Sequence, residues 1–140
     1  MGILDKLFGG KDYTRPLDEA RRIIDRFTTA TIMGVDREDI GRYPPKQRKV
    51  MAFHFGAIED LAVEYGLNET ETLGLFVMFL DKYFNMPVSE TGSISELLEG
   101  FRSREDEHGY LEAGREVFRR WHIENDRRAP LQLGEMLQRP

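Results

Sequence analysis

Hydrophobic residues recur along this chain with a spacing near 3.6 almost everywhere, the period of an amphipathic helix and not of a strand. The first stripe is Leu17, Ala20, Ile23, Ile24, Phe27 and Ala30, and it predicts a helix from about Pro16 to Met33. Pro16 suits a first helical position, Asp18 and Glu19 suit the positive end of the dipole, and Gly34 supplies the stop. The connection VDREDIGRYPPKQ has room for one short turn. Pro44 and Pro45 then open a second helix ending near Tyr65, with Val50, Phe53, His54, Ala57, Ile58 and Leu61 on one face and Gly66 as its cap.

Asn68 followed by Glu71 reads as the reciprocal cap of a third helix, whose side chains are apolar nearly all round and which therefore belongs in the middle of a domain. Its segment LGLFVMFL also suits a buried strand; the cap and the helical continuation from Lys82 to Phe84 decide for helix. Ser93 with Glu96 repeats the capping pattern before a short amphipathic helix carrying Ile94, Leu97, Leu98 and Phe101. RSREDEHG is a loop or an exposed first turn. Tyr110, Ala113, Gly114, Val117, Phe118 and Trp121 then define a helix to about Asn125. Gly109 and Gly114 each cost up to about 1 kcal/mol there relative to alanine, which leaves its start ill defined. Beyond Pro130, Leu131, Leu133, Met136 and Leu137 suggest a last short helix. The expected fold is all-α: a single compact bundle of five to six helices over residues 13–140, with helices at about 45–65 and 69–84 in the centre.

Residues 1–12 read as an amphipathic N-terminal arm. Ile3, Leu4, Leu7 and Phe8 share one helical face, Asp5 and Lys6 take the other, and Gly9 and Gly10 form a joint. Two turns are marginal in isolation, so the arm needs a surface: its own domain, a second copy or a membrane interface. Four apolar side chains make membrane contact at most peripheral and transient. The stretch is too short and too interrupted for a secretory signal, and Lys6 stands where a myristoylation motif wants Ser or Thr.

Composition narrows the function. With 40% apolar and 32% charged residues the chain is globular. A net charge of −5 argues against a nucleic-acid partner. The absence of cysteine removes disulfides, thiol catalysis and cysteine-based metal sites and fits a cytoplasmic location. The longest apolar run, Leu75 to Leu80, is far short of the ~18 residues that span a bilayer. Charge is uneven: +3 over residues 1–50, −8 over 51–100 and zero over 101–140.

No catalytic constellation assembles from the motifs. Glu105 and His108 form one Glu-x-x-His, but a di-iron bundle needs a second copy and two further glutamates. There is no nucleophile elbow and no phosphate-cradling glycine loop. His54 lies inside an apolar stripe; the spacing favours a core histidine satisfied by a carbonyl or carboxylate, the alternative being a group that lines a pocket. Glu59, Asp60 and Glu64 follow it and are read as a solvated helix edge, with a paired-carboxylate ligand pocket as the alternative. Arg42, Lys46, Arg48 and Lys49 cluster where cations oppose a helix dipole; pairing with the acidic middle of the chain is the simpler reading, an anion-binding site the other. Arg120 is expected to pair with Glu116 four residues before it.

The sequence thus points to a small non-catalytic helical interaction module of a bacterial-type cytosol. It would bind a protein partner or associate with itself, without cofactor or metal. The alternatives are an enzyme or small-ligand binder built around His54, and an anion or membrane-surface binder using residues 46–49 and the arm.

Overall fold

The computed structural model describes residues 11–84 and 91–139, with side chains over 16–84 and 94–139. The chain is all-α, with no strand among the described residues. Its helices are α1 (Lys11–Ile32), α2 (Arg37–Arg42), α3 (Pro44–Tyr65), α4 (Glu69–Phe84), α5 (Thr91–Ser103), α6 (Glu105–His122) and, after a 3-10 turn at Ala129–Leu131, α7 (Gln132–Gln138). The arm's Ile3, Leu4, Leu7 and Phe8 lie outside the described residues.

Local chemistry accounts for most boundaries. The Asp36 carboxylate accepts from the backbone N–H groups of Glu38 and Asp39, so the connection before Pro44 holds a full short helix, α2, rather than a bare turn. Asn68 and Glu71 exchange backbone-to-side-chain hydrogen bonds of 2.9 and 2.8 Å, the reciprocal cap read from the sequence. Gly66 adopts φ 66°, the left-handed conformation that stops α3. Several boundaries move, among them the end of α6, which stops at His122 short of the expected Asn125. α1 begins at Lys11, so Pro16 lies within it and Lys11 and Asp12 of the expected arm are helical. α6 begins at Glu105, so the run RSREDEHG divides between the end of α5 at Ser103 and a first turn of α6, the second of its two expected forms, in which Glu105, Asp106 and Glu107 favour the dipole. The second expected cap involves Ser93, which lies inside α5 and whose side chain is not described.

α3 is the hub. Every residue from Val50 to Ile58 is buried, His54 included, and α1, α4 and α6 pack around that segment. α4 contributes Leu75, Phe76, Phe79 and Leu80 to the core, while Leu73, Val77 and Met78 are only half-buried. α1 and α4 run antiparallel to α3, as the neighbours Glu19–Tyr65 and Phe55–Phe76 indicate. α6 runs parallel to it. Along both helices the facing pairs rise together: Arg48 with Glu107, Phe53 with Gly114, Glu59 with Arg115, Glu64 with His122.

Glycine makes the parallel contact possible. A Cβ on Gly114 would lie 1.8 Å from the Phe53 carbonyl oxygen, and one on Gly56 would lie 2.0 Å from that of Leu111. The two backbones therefore touch directly, which no other residue permits. The same device joins α7 to the end of α1: a Cβ on Gly134 would sit 2.1 Å from the Gly34 carbonyl oxygen. Gly34 follows the end of α1 as expected, but it does so without positive φ, which among the described glycines only Gly66 has, and it is also a contact point.

These contacts predict opposite signs for two substitutions in one helix. Gly114→Ala should destabilise by more than about 3 kcal/mol, because the obstructing atom is backbone. Gly109→Ala meets nothing within 4 Å and should stabilise by about 0.5–1 kcal/mol through helix propensity. Urea unfolding of both variants checks the pair.

Candidate functional site

His54 has 0% exposure and lies outside the five principal clefts among the described residues. Its Nδ1 lies 2.8 Å from the Val50 carbonyl, one helical turn back, and its Nε2 lies 2.7 Å from the Thr31 hydroxyl of α1. A carbonyl only accepts, so Nδ1 carries the proton and Nε2 accepts from Thr31. Thr31 Oγ1 also lies 2.9 Å from the Thr28 carbonyl, giving its one proton two acceptors. Thr28 is buried as well and donates to the Ile24 carbonyl at 2.8 Å. The imidazole stacks on Phe79 at 4.8 Å and meets Phe27 and Phe53 edge-on. Burial in this apolar setting is the main cause that lowers its pKa to about 4, against a smaller upward push from the Val50 carbonyl. The ring is neutral and both nitrogens are engaged.

The acidic edge behind it is solvent-accessible, with Glu64 exposed and Glu59 and Asp60 half-buried, but it is paired rather than free. Glu59 meets Arg115 at 2.5 Å, Asp60 meets Arg119 at 2.6 Å, and Glu64 meets His122 at 3.2 Å. Each acid of α3 has a basic partner on α6, forming a ladder beside the glycine contact. The mild repulsion between Asp60 and Glu64 is offset across the helix pair.

The basic cluster is divided. Lys46 pairs with Asp39, and Arg48 reaches Glu107 at 3.3 Å. Lys49 lies over the Tyr110 ring at 5.6 Å, and Arg42 is exposed. These acids come from α2 and α6, not from the acidic middle of the chain, because α2 and the start of α6 flank the start of α3. Glu107 is 3% exposed, and Gly100 leaves the room for its pair with Arg48. Arg120 passes over Glu116 and takes Asp126 at 3.0 Å and Gln132 at 3.1 Å, tying α6 to the C-terminal turn. His108 contacts the Phe101 carbonyl at 3.3 Å, and no group of three potential metal ligands occurs among the described residues.

What the ladder does build is one wall of a cleft of about 690 Å³. Glu59, Asp60, Arg115 and Arg119 form that wall, and α4 and α5 form the other. Between them lie Leu67, Leu73 and Leu98, all half-buried, with Val63 at the rim, 83% exposed. Arg102 of α5 also lines the cleft; it is exposed, and among the described residues it pairs with no carboxylate. Of the sequence candidates only Glu59 and Asp60 come together here. Leu73 and Leu98 read as ordinary members of their own helices, and Arg102 read as part of the polar run RSREDEHG that follows one. Val63 carried a signal, an apolar residue off the α3 stripe.

The lowered pKa of His54 has a signed consequence. Between its ordinary 6.5 and about 4 the unfolded chain binds a proton that the folded chain refuses. The contribution of His54 is therefore complete above about pH 6.5 and is lost as pH falls, amounting to about 3 kcal/mol by pH 4. His54→Leu orphans no polar group, since Thr31 can donate to Thr28. Denaturant unfolding from pH 7.5 to 4 should show a flatter stability profile for this variant than for the parent; parallel profiles would refute the assignment.

No family model, no curated protein and no solved structure matches this chain, so its own geometry carries the functional reading.

Proposed function

We propose that this protein is a non-catalytic helical interaction module that receives an apolar segment of a partner protein in the cleft between the α3–α6 ladder and α4–α5. The observation that carries the reading is the lining itself. Leu67, Leu73, Leu98 and Val63 offer apolar surface to a concave space large enough for side chains. Around them the charges on α3 and α6 are already matched. A wall of internally paired charges beside an apolar floor, with Arg102 across it, is the anatomy of a docking surface rather than of a reaction centre. Glu59 and Asp60 each pair with an arginine of α6, so their charges are matched within the wall rather than aimed at the open space. His54 stands apart from the cleft with both nitrogens occupied, which weighs against a reaction centred on it.

Photo-crosslinking tests the reading. A photoreactive phenylalanine at Val63 or at Glu69 should give an adduct with one discrete protein in cells of the source organism, while the same group at the exposed Glu38 on α2 should not. Leu73→Asp should abolish the adduct while the helical circular-dichroism signal is retained. No adduct, or equal adducts from position 38, would overturn the proposal.

A further inference from the structure

Deepening that reading, and resting on it, we infer that the cleft already has a resident occupant: the first ten residues of this same chain. Three observations converge. The first is position. α1 runs antiparallel to α3, with Glu19 and Ile23 beside Tyr65, so α1 points its beginning toward the end of the bundle where Leu67, Glu69 and Leu73 line the cleft. Lys11 lies about 12 Å along the helix axis before Glu19, farther toward that end. Ten residues preceding it reach up to about 33 Å, enough to pass the start of α4 and enter.

The second observation is chemistry. The segment MGILDKLFGG holds four large apolar side chains, Ile3, Leu4, Leu7 and Phe8, for an apolar floor formed by Leu67, Leu73 and Leu98. It also holds one carboxylate, Asp5, and Arg102 is the cleft cation that no described carboxylate takes. The third is tethering. A segment joined by a short link meets its site at an effective concentration in the millimolar range, so a weak contact suffices in the same molecule. A partner segment would then have to displace the arm.

The chain has no cysteine, so a nitroxide on Lys6→Cys is uniquely placed. In the full-length protein it should broaden the methyl resonances of Val63, Leu73 and Leu98 and spare Ile40, which lies by the opposite end of α3. Adding Leu7→Asp and Phe8→Asp should abolish that broadening. Asp5→Lys should weaken it, and Arg102→Glu in the same chain should restore it. Intact cleft resonances, or equal broadening of Ile40, would overturn the inference. So would broadening in an isotope-labelled chain mixed with a separate nitroxide-bearing chain, since the occupant would then be a second copy. The two proposals fail separately. A cleft that captures a partner but ignores the nitroxide refutes only the resident arm; a cleft that broadens but captures nothing refutes only the partner.

Discussion

The backbone contact between α3 and α6 at Gly56 and Gly114 is the constraint from which the rest of the architecture follows. Parallel helices cannot be joined by a tight turn, because the chain leaves one at the end farthest from where the next begins. α4 and α5 are the return path, and the cleft is enclosed between that path and the helix pair. The direct contact also fixes the register. With Phe53 over Gly114, the residues about two and three turns further along, Glu59, Asp60 and Glu64, face Arg115, Arg119 and His122. Side-by-side parallel helices align their dipoles unfavourably, and complementary charges across the seam work against that tendency.

Buried polar groups are handled in two ways. Around His54 the bonds are local and neutral: a carbonyl one turn back, a hydroxyl from the facing helix, and a second threonine turned onto its own helix. Such a network specifies the α1–α3 register without placing a charge in the core. Glu107 and Arg48 are a buried charge pair instead, one side chain 4% exposed and the other 32%. An ion pair in such a place contributes less than its Coulomb attraction suggests, because both partners give up water. Its value is geometric: it seats the first turn of α6 on the first turns of α3, at the opposite end of the seam from the ladder.

Local features were legible in the sequence and cross-chain ones were not. The Asn68–Glu71 cap, the left-handed Gly66 and the bounds of α4 depend on residues within four positions of one another, and the reading of them matches the structure. The glycines did not read as contacts. From sequence, Gly114 is only a cost to its own helix; its use appears when another backbone lies against it, and Phe53 is sixty-one positions away. The acidic edge misled for the same reason. Asp60 and Glu64 are neighbours in one helix and look like a repelling pair until α6 supplies its arginine and histidine. Thr28 and Thr31 left a trace, two hydroxyls continuing the spacing of Ile24 on the buried face of α1, opposite the only histidine in an apolar stripe.

The cleft exists because the elements differ in length. α3 and α6 hold 22 and 18 residues, α5 only 13, or roughly 20 Å of helix. α5 reaches the first turn of α6 through Gly100 and Glu107, so on the cleft side the later turns of α6 carry the ion-pair ladder and look across the gap to the start of α4. A closed bundle would have filled that gap with side chains. Here Leu67, Leu73 and Leu98 converge on it half-covered, and the long arginine side chains of α6 lie along its wall with their aliphatic stems available for contact. The charges on that wall cancel in pairs, so they add little attraction for an arbitrary ligand and leave selectivity to the apolar floor and to Arg102. An opening of this kind favours a segment by shape first and by a single charge second, which is why we propose it as a docking surface for polypeptide.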